Sequence, residues 1–186
     1  MKTRNNIGAF ENHSIKKYCE GLRSNFHLNK KILFVQTPQV VLDSFNRDIA
    51  LAKGYYIFPP TGIQYLCEAI THRGFEIRIL DLNFEILKKV HKDPNFNPND
   101  WVKIFEKILD EFEPSVLGVS CLFDVGIMPM LDIIRIARKK GKSIIIGGGA
   151  IATYEWKNLL SDELCQFVVE GEGENKLNYL LDVIYG

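Results

Sequence analysis

At 186 residues the chain has room for one full domain and too little for two ordinary ones. Its 23 basic and 23 acidic residues cancel, which excludes a general electrostatic pull toward nucleic acid or anionic membrane and leaves only local patches. With 46% hydrophobic residues the chain is globular in makeup, no apolar run approaches the about 20 residues of a spanning helix, and the opening MKTRNNIGAFENHS lacks a signal peptide's apolar core.

Residues 1–29 are polar, with a short amphipathic turn suggested by Ile15, Tyr18 and Leu22; they read as a polar arm or short helix ahead of a domain over 30–186. Lys31-Ile32-Leu33-Phe34-Val35-Gln36 predicts a buried strand, stopped by Thr37-Pro38. The stretch from Gln39 to Pro60 is long and mixed, and a loop of that length in a compact domain implies a task. Pro59-Pro60-Thr61-Gly62 then leads into a helix over Gly62–His72, with Thr61 as its predicted cap and Arg73-Gly74 as its close. Phe75–Asp81 predicts a second, less buried strand at or near a sheet edge.

A short helical stretch, a Pro/Asn-rich break and a helix from about Asn99 to Phe112 follow, the last capped by Asn99 or Asp100 with Trp101, Ile104, Phe105, Ile108 and Leu109 as its core stripe. Val116–Cys121 predicts the third strand, and Gly126–Lys140 the helix after it, with basic residues in the last turn. Ser143–Ile146 predicts a fourth strand, buried on both faces, that breaks into Gly147-Gly148-Gly149. A helix near Thr153–Leu160, a fifth strand over Gln166–Glu170, the turn Gly171-Glu172-Gly173-Glu174 and a last helix complete the pattern.

Five strands alternating with helices define an α/β, Rossmann-like fold: a parallel sheet with helices on both faces. The flavodoxin-like order 2-1-3-4-5 leaves the weaker second strand at an edge and puts the switch point between the first and third. A ligand is then expected over the strand tips. That assigns candidate contacts to Thr37 and Pro38, Ser120, Leu122 and Phe123, Gly147, Gly148 and Gly149, and Glu170, Gly171 and Gly173.

The chemistry available to those loops is limited. The first strand is not followed by GxGxxG, and neither a GxxxxGK[ST] nor a GxSxG motif occurs. The four cysteines (Cys19, Cys67, Cys121, Cys165) and four histidines lie far apart, without metal-ligand spacing, so the thiols read as isolated and reduced, in a cytoplasmic protein. Asp81 and Asp124 read as loop or cap residues. The site is therefore a holder of something large, with no set of acid and base groups.

Lys31–Val35, Pro59-Pro60-Thr61-Gly62-Ile63, Phe75-Glu76-Ile77 with Leu80-Asp81, Gly118-Val119-Ser120, Ile146-Gly147-Gly148 and Glu170-Gly171-Glu172-Gly173-Glu174 together carry a resemblance. Over about 30–185 the chain resembles the cobalamin-binding N-terminal domain of cobalamin-dependent radical S-adenosylmethionine enzymes, the class that includes the anaerobic magnesium-protoporphyrin ester cyclase and many methyltransferases. The resemblance implies a corrinoid cofactor whose nucleotide tail is flanked by Ser120-Cys121-Leu122 and Gly147-Gly148. It implies a His-off cobalt, because the Asp-x-His-x-x-Gly motif is absent and Thr37-Pro38-Gln39-Val40-Val41 stands after the first strand. The loops Thr37–Val40 and Leu122–Val125 are the candidates for lining cobalt's lower face.

No Cys-x-x-x-Cys-x-x-Cys triplet occurs, so S-adenosylmethionine and a [4Fe-4S] cluster are expected only in a domain absent from this chain. The chain is then an excised or natural N-terminal fragment, or a stand-alone corrinoid carrier serving a radical S-adenosylmethionine domain in cis or in trans, and is not catalytic alone. The competing readings are a flavodoxin-like flavin-binding protein and a cofactor-free interaction domain. For the flavin reading, Thr37-Pro38-Gln39 is poor in the phosphate-binding residue types such a loop needs.

Overall fold

A computed structural model describes residues 4–161 and 164–186. Its sheet has five parallel strands, β1 (Lys31–Gln36), β2 (Glu76–Asp81), β3 (Val116–Ser120), β4 (Ile144–Gly148) and β5 (Phe167–Val168), in the order β2-β1-β3-β4-β5. This is the expected topology, with β2 at one edge and its residues largely exposed. The eight helices among the described residues are α1 (Arg4–Asn25), α2 (Arg47–Leu51), α3 (Thr61–Ile70), α4 (Leu82–Lys92), α5 (Trp101–Phe112), α6 (Ile127–Lys140), α7 (Gly149–Ser161) and α8 (Glu174–Tyr185). None is long and apolar enough to cross a membrane.

Strand alternation sorts the core into two layers. Leu33, Val35, Leu117, Val119 and Ile145 face helices α4 to α7, where Phe105, Phe112, Ile133 and Ile134 are fully buried. Ile32, Phe34, Val116 and Ile146 face α3 and α8 through Ile63, Ile70, Leu177 and Leu181. This second layer holds the site. Asn178 of α8 donates to the Ala69 carbonyl of α3 at 3.0 Å, Arg73 pairs with Asp182 at 2.5 Å, and the Tyr185 hydroxyl donates to the Asn29 carbonyl at 2.6 Å. The first two bonds tie α3 and the turn after it to α8, and the third anchors α8 beside the start of β1.

Several elements differ from the sequence expectation for local reasons. The polar start forms the 22-residue helix α1 instead of a short turn. Its Cys19 and Leu22 are buried against Ile144, Val183 and Ile184, a narrow stripe in an otherwise charged stretch. Thr61 is the first residue of α3 and not its cap: Pro60 holds the cap position, and the Thr61 hydroxyl donates back to Pro59. Asp100 holds the cap position of α5, as expected, but makes no side-chain cap bond; Asn97 accepts from the Asn99 N–H and starts a short 3₁₀ turn ahead of it. Residues 39–60 contain α2, capped by Asn46, so the segment is not one structureless loop. Strand β5 is shorter than Gln166–Glu170: the Gln166 side chain accepts from the Ile145 N–H at 2.7 Å, while Val169 N–H still donates to the Gly147 carbonyl at 2.9 Å. Asp81 caps α4 by accepting from Phe84 N–H, as expected of it.

Cys19, Cys121 and Cys165 are buried and Cys67 is half-buried; burial raises all four thiol pKa values, and it pushes Cys165 up to about 12. A raised thiol stays protonated, and unreactive, at every pH below its folded value. At pH 8 the native protein should therefore react with a chromogenic disulfide mainly at Cys67, and denaturant should release all four thiols together. Rapid native reaction at Cys165 would contradict this packing.

Candidate functional site

The slot at the strand tips

Pairing β3 with β4 sets Ser120 directly beside Gly148, and pairing β1 with β3 sets Gln36 beside Ser120. Alternation then turns Ser120 and Gly148 toward the α3–α8 layer, on the same side as Phe34, Gly118 and Ile146. Between that row and the helices lies a cleft of about 210 Å³, walled by Ile63, Leu66 and Leu177 and closed at its mouth by Gly171–Glu174.

The glycines differ in function. Gly148 has nothing within 4 Å of the place its Cβ would occupy, so its missing side chain is open cleft. Gly149 has φ +89°, and a Cβ there would sit 2.5 Å from the Cys121 carbonyl oxygen. Only glycine lets the start of α7 press this closely on the β3 loop. Gly147 points the other way, toward Cys165, Met130 and Leu159, and meets the cleft with backbone only. Within β3, Gly118 leaves room for the Phe34 ring, which forms the inner end of the slot; a Cβ there would be 2.5 Å from that ring.

The surrounding loops are tied to one another by their backbones. Thr37 N–H donates to Ser120 at 3.1 Å, Cys121 N–H to Gly148 at 3.1 Å, and Ile151 N–H to Cys121 at 3.1 Å. Thr153 bridges the two glycine turns, donating to the Gly149 carbonyl at 3.2 Å and accepting from the Gly171 N–H at 3.1 Å.

Of the residues singled out from the sequence, Ser120, Leu122, Gly147, Gly148, Gly149, Gly171 and Gly173 line this one cleft. Thr37 and Pro38 are buried beside it, with the Thr37 hydroxyl packed toward Gly126 and Cys121. Phe123 is outside the slot at the strand tip, its ring 5.4 Å from that of Phe58. Glu170 faces a separate groove with Lys176, whose ammonium donates to the Glu170 carbonyl. Residues not singled out, namely Phe34, Gly62, Ile63, Leu66 and Leu177, complete the walls.

Phe58 was also missed. Gln36 donates to its carbonyl at 3.1 Å and Gln39 accepts from its N–H at 3.4 Å, so two glutamines fix the 55–60 loop at the tip of β1. The result is an exposed aromatic ledge of Tyr56, Phe58 and Phe123 beside the slot. The signal for both misses lay in Tyr55–Ile63, where aromatic residues and a Pro-Pro helix entry crowd together.

Among the described residues that line the cleft, Ser120 carries the one side-chain hydroxyl, Glu172 and Glu174 carry the charges, and the rest is apolar side chain or bare backbone. His27, His72 and His91 are exposed, and no group of three potential metal ligands occurs among the described residues.

Relation to known proteins

A narrow apolar slot at the switch-point side of a 2-1-3-4-5 parallel sheet defines a ligand-holding Rossmann-like domain. The family model for the B12 binding domain matches residues 47–181, and the chain belongs to that family. No curated protein sequence matches the chain. Among solved structures it is similar to the radical S-adenosylmethionine methyltransferase TsrM from Kitasatospora setae. The structure of TsrM with tryptophan substrate and an S-adenosylmethionine analogue aligns at TM-score 0.61 and 20% identity, over 84% of this chain and 26% of that one. The structure with cobalamin and a [4Fe-4S] cluster aligns at TM-score 0.61 and 20% identity, over 85% of this chain and 25% of that one. At this identity the likeness establishes a shared fold, and the chain spans about a quarter of TsrM.

The two outer glycines predict opposite outcomes. Gly149→Ala should destabilise the domain by about 2–4 kcal/mol in urea unfolding, through a left-handed φ and a backbone clash. Gly148→Ala should stay within about 1 kcal/mol of wild type, because its side chain meets open space. Equal costs at the two positions would contradict this geometry.

Proposed function

We propose that the slot holds the nucleoside end of cobalamin's nucleotide tail, with the base between Gly148 and the α3–α8 layer and the phosphate outside the mouth. The observation that carries the reading is the open volume over Gly148, next to Ser120 in register, in a domain of the B12-binding family. The residues fit the group. A flat apolar ring system needs bare backbone on one face, apolar side chains on the other and a hydroxyl in reach, and Gly148, Ile63, Leu66, Leu177 and Ser120 supply these. A cleft of about 210 Å³ suits a base and its sugar and is too small for the macrocycle, which would lie outside it.

A corrinoid supplies a cobalt centre able to carry an alkyl group. This chain's own contribution is to bind, orient and shield. Ser120 donates to a ring nitrogen or accepts from the sugar, and Leu122 closes the slot's outer wall. The Tyr56–Phe58–Phe123 ledge packs under the part that remains outside and excludes water there. The loop after β1 offers Thr37, Pro38 and Gln39 and no imidazole, which supports a His-off cobalt. The domain's partner is a radical S-adenosylmethionine domain, in cis or in trans, which would bring the iron–sulfur cluster this chain has no cysteine triplet to hold. The group transferred is then a methyl or related unit.

The flavin reading is the weaker one. A flavin phosphate needs backbone donors after β1, and Thr37-Pro38-Gln39 is poor in the Ser, Thr and Gly such a loop carries.

The test is retention of the cofactor. Purified apo chain mixed with aquacobalamin or cob(II)alamin and desalted should keep a corrinoid spectrum. Gly148→Leu and Ser120→Leu should each weaken retention at least about tenfold with little change in unfolding midpoint. Bound cob(II)alamin should show cobalt hyperfine lines in its electron paramagnetic resonance spectrum without splitting by an axial nitrogen. A wild-type chain that emerges colourless with both corrinoids would overturn the reading, and so would nitrogen splitting, which would put the benzimidazole or a protein imidazole on cobalt.

A further inference from the structure

Charge is distributed unevenly in the cleft. Its inner end is Phe34, Gly118, Ile146 and Leu177, without a charged group. Its mouth carries Glu172 and Glu174, and no lysine, arginine or histidine lines any part of it. Neither carboxylate makes a hydrogen bond or ion pair among the described residues, although eight pairs form elsewhere on this surface. The nearest cation along the chain, Lys176, is committed to the Glu170 carbonyl and belongs to the neighbouring groove.

Two free carboxylates at the entrance of an apolar slot select against one ligand chemistry and for another. They repel an entering phosphate or carboxylate, an effect amplified by the low-dielectric wall behind them. They accept hydrogen bonds from hydroxyl groups, and a charged acceptor makes such bonds stronger than a neutral one does. A ligand matched to both zones is apolar and aromatic at its inner end, hydroxylated and uncharged where it passes the mouth, and anionic only beyond it.

We propose that Glu172 and Glu174 are specificity-determining residues that accept from the sugar hydroxyls of the tail's uncharged nucleoside end and keep anionic groups, the tail's own phosphate included, out of the slot. This rests on the corrinoid reading above, because it assigns the part of that cofactor that passes the mouth. Helix α8 begins at Glu174 with Gly173 in the cap position and no side-chain cap, so Glu174 also lies where a carboxylate favours the helix. A purely helix-stabilising role would affect unfolding and leave ligand choice untouched.

The experiment separates the two roles. Dissociation constants are measured by visible spectroscopy for cobalamin and for the cobalamin derivative whose ribose 5′-hydroxyl has been oxidised to a carboxylate. Wild type, Glu172→Gln/Glu174→Gln and Glu172→Ala/Glu174→Ala are compared, with thermal unfolding as a check on folding. The wild type should bind the oxidised derivative at least about tenfold more weakly than cobalamin, and the Gln variant should bring that ratio to within about twofold of unity. The Ala variant should in addition weaken cobalamin itself several-fold, since it removes the acceptors as well as the charge. A wild-type ratio near one, or a ratio that the Gln substitutions leave unchanged, overturns the proposal while the corrinoid reading stands. A wild type that binds neither compound fails the corrinoid reading itself.

Discussion

The site depends on one registration, Ser120 alongside Gly148 across adjacent parallel strands. Because side chains alternate along a strand, a slip of one residue would exchange Gly148 for Gly147 and fill the slot side with different chemistry. What prevents the slip is burial on both faces. Ile144, Ile145 and Ile146 each have a place in a packed layer, and moving them would send every one to the wrong layer. The cleft is thus secured by a core that does not touch it. Gly149 adds a second lock, since its approach to the Cys121 backbone fixes where β4 ends and α7 begins.

The two faces of the sheet divide the work. The α4–α7 face is filled by large side chains such as Phe105, Phe112 and Met130 and supplies most of the buried apolar surface. The α3–α8 face is thinner and is held in part by polar ties, Asn178 to Ala69 and Arg73 to Asp182. A layer held this way leaves a gap near the strand tips without unravelling, because the helices are anchored at the opposite end through Tyr185, Ser115 and Asn29. Stability and ligand room are therefore supplied by different sides of one sheet.

Much of this was legible in the sequence. The apolar run Ile144–Ile146 and the weaker Phe75–Asp81 gave both the buried centre and the edge, hence the strand order. The glycines after β4 and the serine after β3 marked the crevice. What alternation along β4 did not convey unaided was that Gly147, Gly148 and Gly149 meet three different surroundings; that requires knowing what packs on each face. The far wall was harder still, since Ile63, Leu66 and Leu177 look like ordinary core positions until the cleft between α3, α8 and the strand tips is seen. Phe58 was hidden because its placement depends on two glutamine side chains, Gln36 and Gln39, from a segment some 20 residues away. Helix α1 was legible only in part, since its buried Cys19 and Leu22 are set in a polar, charged stretch.

The central claim is that a corrinoid's tail enters between Gly148 and the α3–α8 layer. Amide chemical-shift mapping of the isotopically labelled chain, with and without aquacobalamin, reads this most directly. The account predicts perturbations concentrated at Ser120–Leu122, Gly147–Gly149 and Gly171–Glu174, with the opposite end of the sheet around Ser115 and Ser143 unmoved. Perturbations that avoid Gly148, or that centre on the groove of Trp156 and Tyr179, would contradict it.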